Sequence, residues 1–365
     1  MRLLVLAPNW LGDVVMTTPL LSFLHDNRET VSQAAGVPLT LCLGVRRAWA
    51  GLFRDDERID ELLVLERGGR NGGFRGAFRL GSTLKQGGFD AVILGPPSLR
   101  TGWAARWSGI PCRVGYRTDA RSLLLNHGVA PRKRGSLHYS REMIHLGHVW
   151  LKTLGLGKDE ILDRDWTSSL PGCDPLPDAE LGNDRPVWAV APGTTYGEAK
   201  TWPVERLADF LRKATSKAEI RFVFLGDGTA REFTTRLKEM VTGAWSDDPR
   251  KPATFVDLTG KTDLIAAVQA LKASRVFIGN DSGLMHLAAA LGLPTVGIFG
   301  SSNPDWTAPL GEKTRTVFPG GFPCRPCYRK TCNQQTFCLD TVSADTVLSV
   351  VNSLVGDGRP TLGGD

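Results

Sequence analysis

The run from Arg275 to Gly300, RVFIGNDSGLMHLAAALGLPTVGIFG, decides the fold. RVFIGND (275–281) and PTVGIFG (294–300) are short apolar runs closed by turn residues, the pattern of parallel strands buried on both faces. Between them, GLMHLAAALG (283–292) reads as a helix that stops at glycine. Strand, helix, strand predicts a parallel sheet crossed by helices. Asp281 is the sole charged side chain from Val276 to Gly300, and it stands where the first strand hands over to the helix.

The same alternation extends in both directions. Upstream, VWAVAPG (187–193), IRFVFLGDG (220–228) and ATFVDLTG (253–260) read as strands. PVERLADFLRKATS (203–216), TAREFTTRLKEMV (229–241) and TDLIAAVQALKAS (262–274) read as helices, the first with proline at its start where a missing N–H does no harm. The first half repeats the pattern, with strands at 2–8, 38–44, 61–66, 90–96 and 112–116 and helices at 17–27 and 138–156. Between the halves, SLPGCDPLPDAELGNDRP (169–186) holds four prolines and two glycines and has no period. The expectation is α/β: two doubly wound Rossmann-like domains, 1–170 and 187–342, joined by a linker at 171–186 and facing a cleft. A last helix at 343–356 can pack back on the first domain.

The 365 residues are 42% hydrophobic and 22% charged, ordinary for a globular enzyme. No apolar run reaches the roughly 18 residues that span a bilayer. The first residues, MRLLVLAPNW, enter a strand-like run without the features of a signal peptide, so a cytoplasmic location is expected. Seven unevenly spaced cysteines do not form a disulfide framework. The net charge of +6 is concentrated: from Arg100 to Arg141 nine basic residues face only Asp119, a local +8. That patch suits a nucleic acid, an anionic membrane or a phosphorylated substrate, or is a solvated basic face.

Open α/β sheets bind ligands at the carboxyl ends of their strands. Three such ends in the second half carry suitable chemistry. In APGTTYGEAKTWP (191–203), Thr194 and Thr195 offer hydroxyls and Lys200 a point charge, a set that suits a phosphate or diphosphate. The P-loop spacing is absent. In GNDSGLMHLAAA (279–290), Ser282, Gly283 and Leu284 offer backbone N–H groups at a helix start, with Asp281 beside them as an acceptor for sugar hydroxyls. His286 lies one turn in and reads by itself as a packed core residue. LTGKTDL (258–264) can contact a base, and Glu232 or Asp227 in GDGTARE (226–232) a ribose. In the first half, APNWLGDVVMTTP (7–19) lacks a dinucleotide fingerprint and offers Asp13, suited to a general base. Taken alone, Asp13, and Asp281 or Ser282, read more readily as helix caps.

NWLGDVVMTTP, PGTTYGEAKTWP and GNDSGLMHLAAALGLPTVGIFGSSNPDW, in that order and spacing, resemble the ADP-heptose:lipopolysaccharide heptosyltransferases of Gram-negative bacteria, glycosyltransferase family 9. RVGYRTDARSLLLN (113–126) resembles the subgroup that adds the second heptose, heptosyltransferase II. The resemblance covers residues 1–350 and implies a GT-B fold, inversion at the anomeric centre, and no metal or other cofactor. It implies Asp13 as catalytic base and Thr194, Thr195 and Lys200 as phosphate contacts. Asp281 would hold the heptose, Ser282 and Gly283 the diphosphate, with His286 in the same signature. Thr262 falls at the adenine and Glu232 is assigned to the ribose. Lys200 and the amides after Asp281 would also stabilise the leaving diphosphate. The donor is then ADP-heptose and the acceptor an anionic Kdo-lipid A core. The basic stretch becomes an acceptor surface (Arg113, Arg117, Arg121, Lys133, Arg134), nucleic acid drops out, and the enzyme would work peripherally at the inner face of the inner membrane.

Two features lie outside this scheme. Asp163-Arg-Asp165 looks like a metal-binding DxD but is placed by chance before the linker. Cys324, Cys327, Cys332 and Cys338 form a C-x2-C pair followed by two further cysteines, which permits a zinc or iron–sulfur site; the expectation is no functional metal. Two other activities fit the same residues: a GT-B nucleotide-sugar epimerase or hydrolase, and a non-catalytic binder of anionic glycolipid.

Overall fold

The computed structural model describes residues 1–66, 73–171, 185–248, 250–251 and 253–356. The chain divides into two compact units, Met1–Pro171 and Gly172–Asp365. Most of the expected linker lies outside the described residues.

The first unit is built on six parallel strands: β1 (Arg2–Leu6), β2 (Thr40–Arg46), β3 (Glu61–Leu65), β4 (Ala91–Leu94), β5 (Cys112–Tyr116) and β6 (His127–Val129). Their order is β3-β2-β1-β4-β5-β6, so the chain reverses direction across the sheet between β1 and β4. Leu3 to Leu6 and Ala91 to Leu94 are buried, as the continuous apolar runs predict for strands covered on both faces. The helices are α1 (Leu11–Val15), α2 (Thr18–Asp26), α3 (Arg28–Ala35), α4 (Arg47–Ala50), α5 (Gly73–Gly87), α6 (Leu99–Trp107) and α7 (Tyr139–Lys152).

Helices α5 and α6 were not expected from the sequence, because glycines interrupt their apolar pattern. One of those glycines is a seat: a Cβ at Gly81 would stand 2.3 Å from the Trp107 ring. Trp107 stacks on Trp103 with ring centroids 5.9 Å apart, and Phe78 meets both edge-on. Ser98 caps α6 by accepting from Thr101 N at 3.3 Å.

The second unit carries seven parallel strands: β7 (Val187–Ala191), β8 (Arg221–Phe224), β9 (Trp245–Ser246), β10 (Phe255–Asp257), β11 (Val276–Asn280), β12 (Thr295–Ile298) and β13 (Thr314–Val317). Their order is β13-β12-β11-β7-β8-β10-β9, which puts the reversal between β7 and β11. Its helices are α8 (Val204–Thr215), α9 (Arg231–Met240), α10 (Leu264–Lys272), α11 (Gly283–Ala290), α12 (Pro304–Thr307) and α13 (Ala344–Val355). The β11–α11–β12 unit is the stretch that opened the sequence reading. Leu207, Phe210 and Leu211 of α8 pack into the core of this sheet. Each such side chain contributes about 1.5–3 kcal/mol by leaving water. Val347, Leu348 and Val351 of α13 join the same core, so the apolar face of the last helix is buried within the second unit.

Candidate functional site

In the second sheet the reversal point carries the expected residues. The strand ends of β7 and β11 are neighbours, since Gly279 pairs with Ala191. The loop after β7 therefore meets the turn after β11. Asn280 fastens the two together: its Oδ1 accepts from Trp202 N at 2.8 Å, and its Nδ2 donates to Pro192 O at 3.1 Å. Lys200 is thereby held over Asp281, with Nζ 2.6 Å from Oδ2. Their side chains are 16% and 6% exposed, so the pair is desolvated and each charge depends on the other. Lys200 also lies 4.7 Å above the Tyr196 ring, and His286 Nε2 stands 3.8 Å from the second Asp281 oxygen.

The helix-cap account of Asp281 fails on geometry. The N-cap of α11 is Ser282, and its hydroxyl makes no capping bond. Asp281 precedes the cap and turns its carboxylate to Lys200 and His286. The first amides of α11 thus lack a side-chain cap at their N-cap residue, a setting that favours an anion. Among the described residues, the buried hydroxyls of Ser282, Ser301 and Ser302 have no hydrogen-bond partner. Ser301 and Ser302 follow β12, the strand beside β11, and are 1% and 3% exposed. Buried hydroxyls are seldom left unpaired, and at the carboxyl ends of parallel strands a polar ligand can supply the partner.

The loop that carries Thr194 and Thr195 is shaped by Gly197, whose φ is 146°. A Cβ there would stand 2.5 Å from Lys330 O, so only glycine fits. Thr194 is half-buried and Thr195 exposed. Glu232 is exposed at the start of α9, and Thr262 is half-buried in the turn after β10. Both follow strands on the β8–β10 side of the sheet, and neither is bonded to the Lys200–Asp281 pair. Asp227 is committed locally, accepting from Thr229 N at 2.9 Å.

In the first unit Asp13 is half-buried in the first turn of α1, after β1. The N-cap there is Trp10, with no side-chain cap, so Asp13 is not the helix cap. Tyr139 opens α7. Burial, and then the charge of Asp13, hold its phenol well above its usual range. Arg121 acts on Tyr139 in the opposite sense, and Tyr139 was not singled out in the sequence.

The acceptor assignment changes for two arginines. Arg121 is fully buried, and its Nε donates to Tyr116 O at 2.7 Å and its Nη1 to Pro96 O. Burial brings its pKa down to about 10. Arg113 is half-buried, with Nε donating to Leu124 O at 2.9 Å and Nη1 to Ile110 O. Both tie strand ends to loops through main-chain carbonyls and are structural in this fold. Arg117, Lys133 and Arg134 remain exposed.

Asp165 is the ion-pair partner of Arg141, and Asp163 lies 3.3 Å from His148 Nε2. Cys324, Cys327, Cys332 and Cys338 are free thiols that line one small cavity. Among the described residues no group of three or more His, Cys, Asp or Glu is placed to hold a metal ion. Also among the described residues, no helix is long and apolar enough to cross a membrane.

Comparison with known proteins bears on this arrangement. Residues 77–337 match the model of glycosyltransferase family 9 (heptosyltransferase). Lipopolysaccharide heptosyltransferase 2 of Escherichia coli K12 is 25% identical over 327 residues, 87% of this chain and 88% of that protein. The protein of the same name from Salmonella typhimurium is 26% identical over 321 residues, with the same coverage. Among solved structures, Escherichia coli ADP-heptose lipopolysaccharide heptosyltransferase II superposes with a TM-score of 0.74 at 23% identity, covering 97% of this chain and 98% of that one. A family 9 glycosyltransferase from Veillonella parvula gives 0.73 at 20% identity, covering 97% of both chains. The fold is shared throughout both.

Proposed function

The chain belongs to glycosyltransferase family 9, the heptosyltransferases, and is a glycosyltransferase of GT-B fold; from that premise we propose that it moves heptose from ADP-heptose onto the heptose of a lipopolysaccharide inner core, as the second-heptose enzymes do. The observation that carries this reading is the desolvated Lys200–Asp281 pair at the reversal of the second sheet, just before the uncapped start of α11.

In this reading Asp281 accepts from hydroxyls of the donor heptose. The amides of Ser282, Gly283 and Leu284 hold the diphosphate, with Thr194 and Thr195 beside them. Thr262 contacts the adenine and Glu232 the ribose. The acceptor hydroxyl attacks the anomeric carbon as the bond to the diphosphate oxygen breaks, inverting the centre. The electron pair leaves with ADP, and the proton passes to Asp13. Charge grows on the departing phosphate in the transition state, where Lys200 and the α11 amides stabilise it without a metal ion.

Contact with the inner face of the inner membrane fits the acceptor. Phe78, Leu99 and Trp107 are 45%, 50% and 42% exposed on α5 and α6, next to the exposed Arg79, Arg100 and Arg106. Aromatic and basic side chains together suit an anionic lipid surface.

The test is transfer from ADP-heptose to core acceptors carrying zero, one or two heptoses. Transfer to the one-heptose acceptor is expected. Release of ADP at the same rate without any acceptor would replace the transferase reading with a hydrolytic one.

A further inference from the structure

The loop that carries Lys200 does not hold its shape alone. Three segments of the second unit are laced together there: 196–200 after β7, 299–301 after β12 and 325–330 after β13. Ala199 N donates to Lys330 O at 3.0 Å, Ser301 N to Ala199 O at 3.0 Å, and Tyr328 N to Ser301 O at 2.8 Å. Arg325 adds Nε to Gly300 O at 2.8 Å and Nη2 to Phe299 O at 3.2 Å. The segments are in close contact, since a Cβ at Gly300 would stand 2.3 Å from Ala199 O. Ala199 and Ser301 also line the cavity that Cys324, Cys327, Cys332 and Cys338 line, so the thiol-bearing stretch packs against the Lys200 loop.

Tyr196 is where this lacing reaches the lysine. Its hydroxyl donates to Tyr328 O at 2.5 Å, and its ring centroid lies 4.7 Å from Lys200 Nζ. Tyr328 has a φ of 52°, a left-handed backbone that a residue with a Cβ adopts only at a cost. In that conformation one residue gives its N–H to Ser301 O and its C=O to Tyr196. Strain of this kind persists where the surroundings over-determine it, and it gathers at functional sites. Tyr196 is itself 37% exposed, so burial in a core does not explain why its ring is tied down. The lysine needs such a seat. Its stem has several rotatable bonds and its ammonium is a point charge. Asp281 fixes the ammonium from one side at 2.6 Å. In the transferase reading that carboxylate is shared with the hydroxyls of the donor sugar. An aromatic face attracts the ammonium through the ring quadrupole and offers no carboxylate oxygen for those hydroxyls to compete for.

We infer that Tyr196 is a positioning residue for Lys200: its ring holds the ammonium where the leaving diphosphate gains charge, and its hydroxyl anchors the ring to Tyr328. The assignment rests on the transferase reading and deepens it. It gives the stretch after β13 a part in the reaction. Residues 325–330 hold the ring, the ring holds the lysine, and both act through the lysine rather than on the reacting atoms.

The test is a double-mutant cycle on the full chain, with folding followed by circular dichroism. Tyr196→Leu, or Tyr196→Gln should the first not fold, removes the ring. It is expected to lower kcat for heptose transfer about tenfold, with KM for ADP-heptose within about threefold. Tyr196→Phe keeps the ring and should hold kcat within about threefold, while the lost anchor lowers Tm. In Lys200→Met the ring has no charge to hold, so adding Tyr196→Leu should lower kcat by less than about twofold. A tenfold loss in both backgrounds overturns the assignment. So does wild-type kcat in the leucine variant, or a phenylalanine variant as slow as the leucine one. If the wild type transfers to no acceptor, the transferase reading fails instead. Acetylation of Lys200 by acetic anhydride, followed by mass spectrometry, then still decides: faster modification in Tyr196→Leu than in wild type supports the positioning, and an equal rate overturns it.

Discussion

Lys200 and Asp281 neutralise one another across two neighbouring strand ends, and this coupling separates stability from catalysis. Lys200→Met leaves a buried carboxylate without its cation, which costs about 3–5 kcal/mol. Its Tm should fall, and transfer should drop about 10²–10³-fold through loss of charge stabilisation on the leaving diphosphate. In Lys200→Met/Asp281→Leu no charge is stranded, so Tm should return toward wild type while transfer stays lost. Recovery of both together would make the pair purely structural. Ser301 and Ser302 make the converse case. Their hydroxyls have no partner among the described residues, so the double alanine variant should keep or raise its Tm. If the hydroxyls face the donor, its KM for ADP-heptose rises about tenfold; an unchanged KM removes them from the site. The places of Asp13, Thr194, Lys200 and Asp281 after strand ends were legible in the sequence, because each follows an apolar run that ends in a turn. Ser301, Ser302 and Asn280 were not, because lacking a partner, or bridging two loops, is a property of three dimensions. Arg113 and Arg121 were misread for the same reason: a count of charges does not say that a guanidinium turns inward to carbonyls.

Among the elements, α7 carries a pH dependence of its own. His145 and His148 are both held below the usual histidine range, chiefly by burial. Arg132 adds to the effect on His145, whereas Asp163 opposes it on His148. The unfolded chain therefore binds more protons than the native one as pH falls through about 6.5, so stability is fully present above that range and is lost below it. The urea midpoint should be lower at pH 5.5 than at pH 7.5, and His145→Gln/His148→Gln should flatten the difference. An undiminished difference in that variant would assign the effect elsewhere. Helix α7 was predicted nearly to its ends because its apolar period is clean. Helices α5 and α6 were not, because their glycines serve close packing, as Gly81 does beneath Trp107, and a propensity reading takes glycine as a break.

For the whole molecule, both units solve the same problem. Each is a doubly wound parallel sheet whose strand order reverses once. That architecture was legible because strands covered on both faces leave continuous apolar runs, and RVFIGND and PTVGIFG around one short helix already imply it. The division of labour follows from it. The second unit offers the amides and lysine that suit a nucleotide sugar, and the first offers the Asp13 carboxylate that suits a base for an acceptor hydroxyl. The most direct measurement of this claim is the rate of heptose transfer from ADP-heptose to a one-heptose core acceptor, for wild type and Asp13→Asn, with donor affinity measured on the same samples. The account predicts transfer by the wild type, equal donor affinity in the variant, and a loss of transfer of about 10²–10⁴-fold. Transfer by Asp13→Asn at the wild-type rate, or a folded wild type that transfers to no core acceptor, would contradict it.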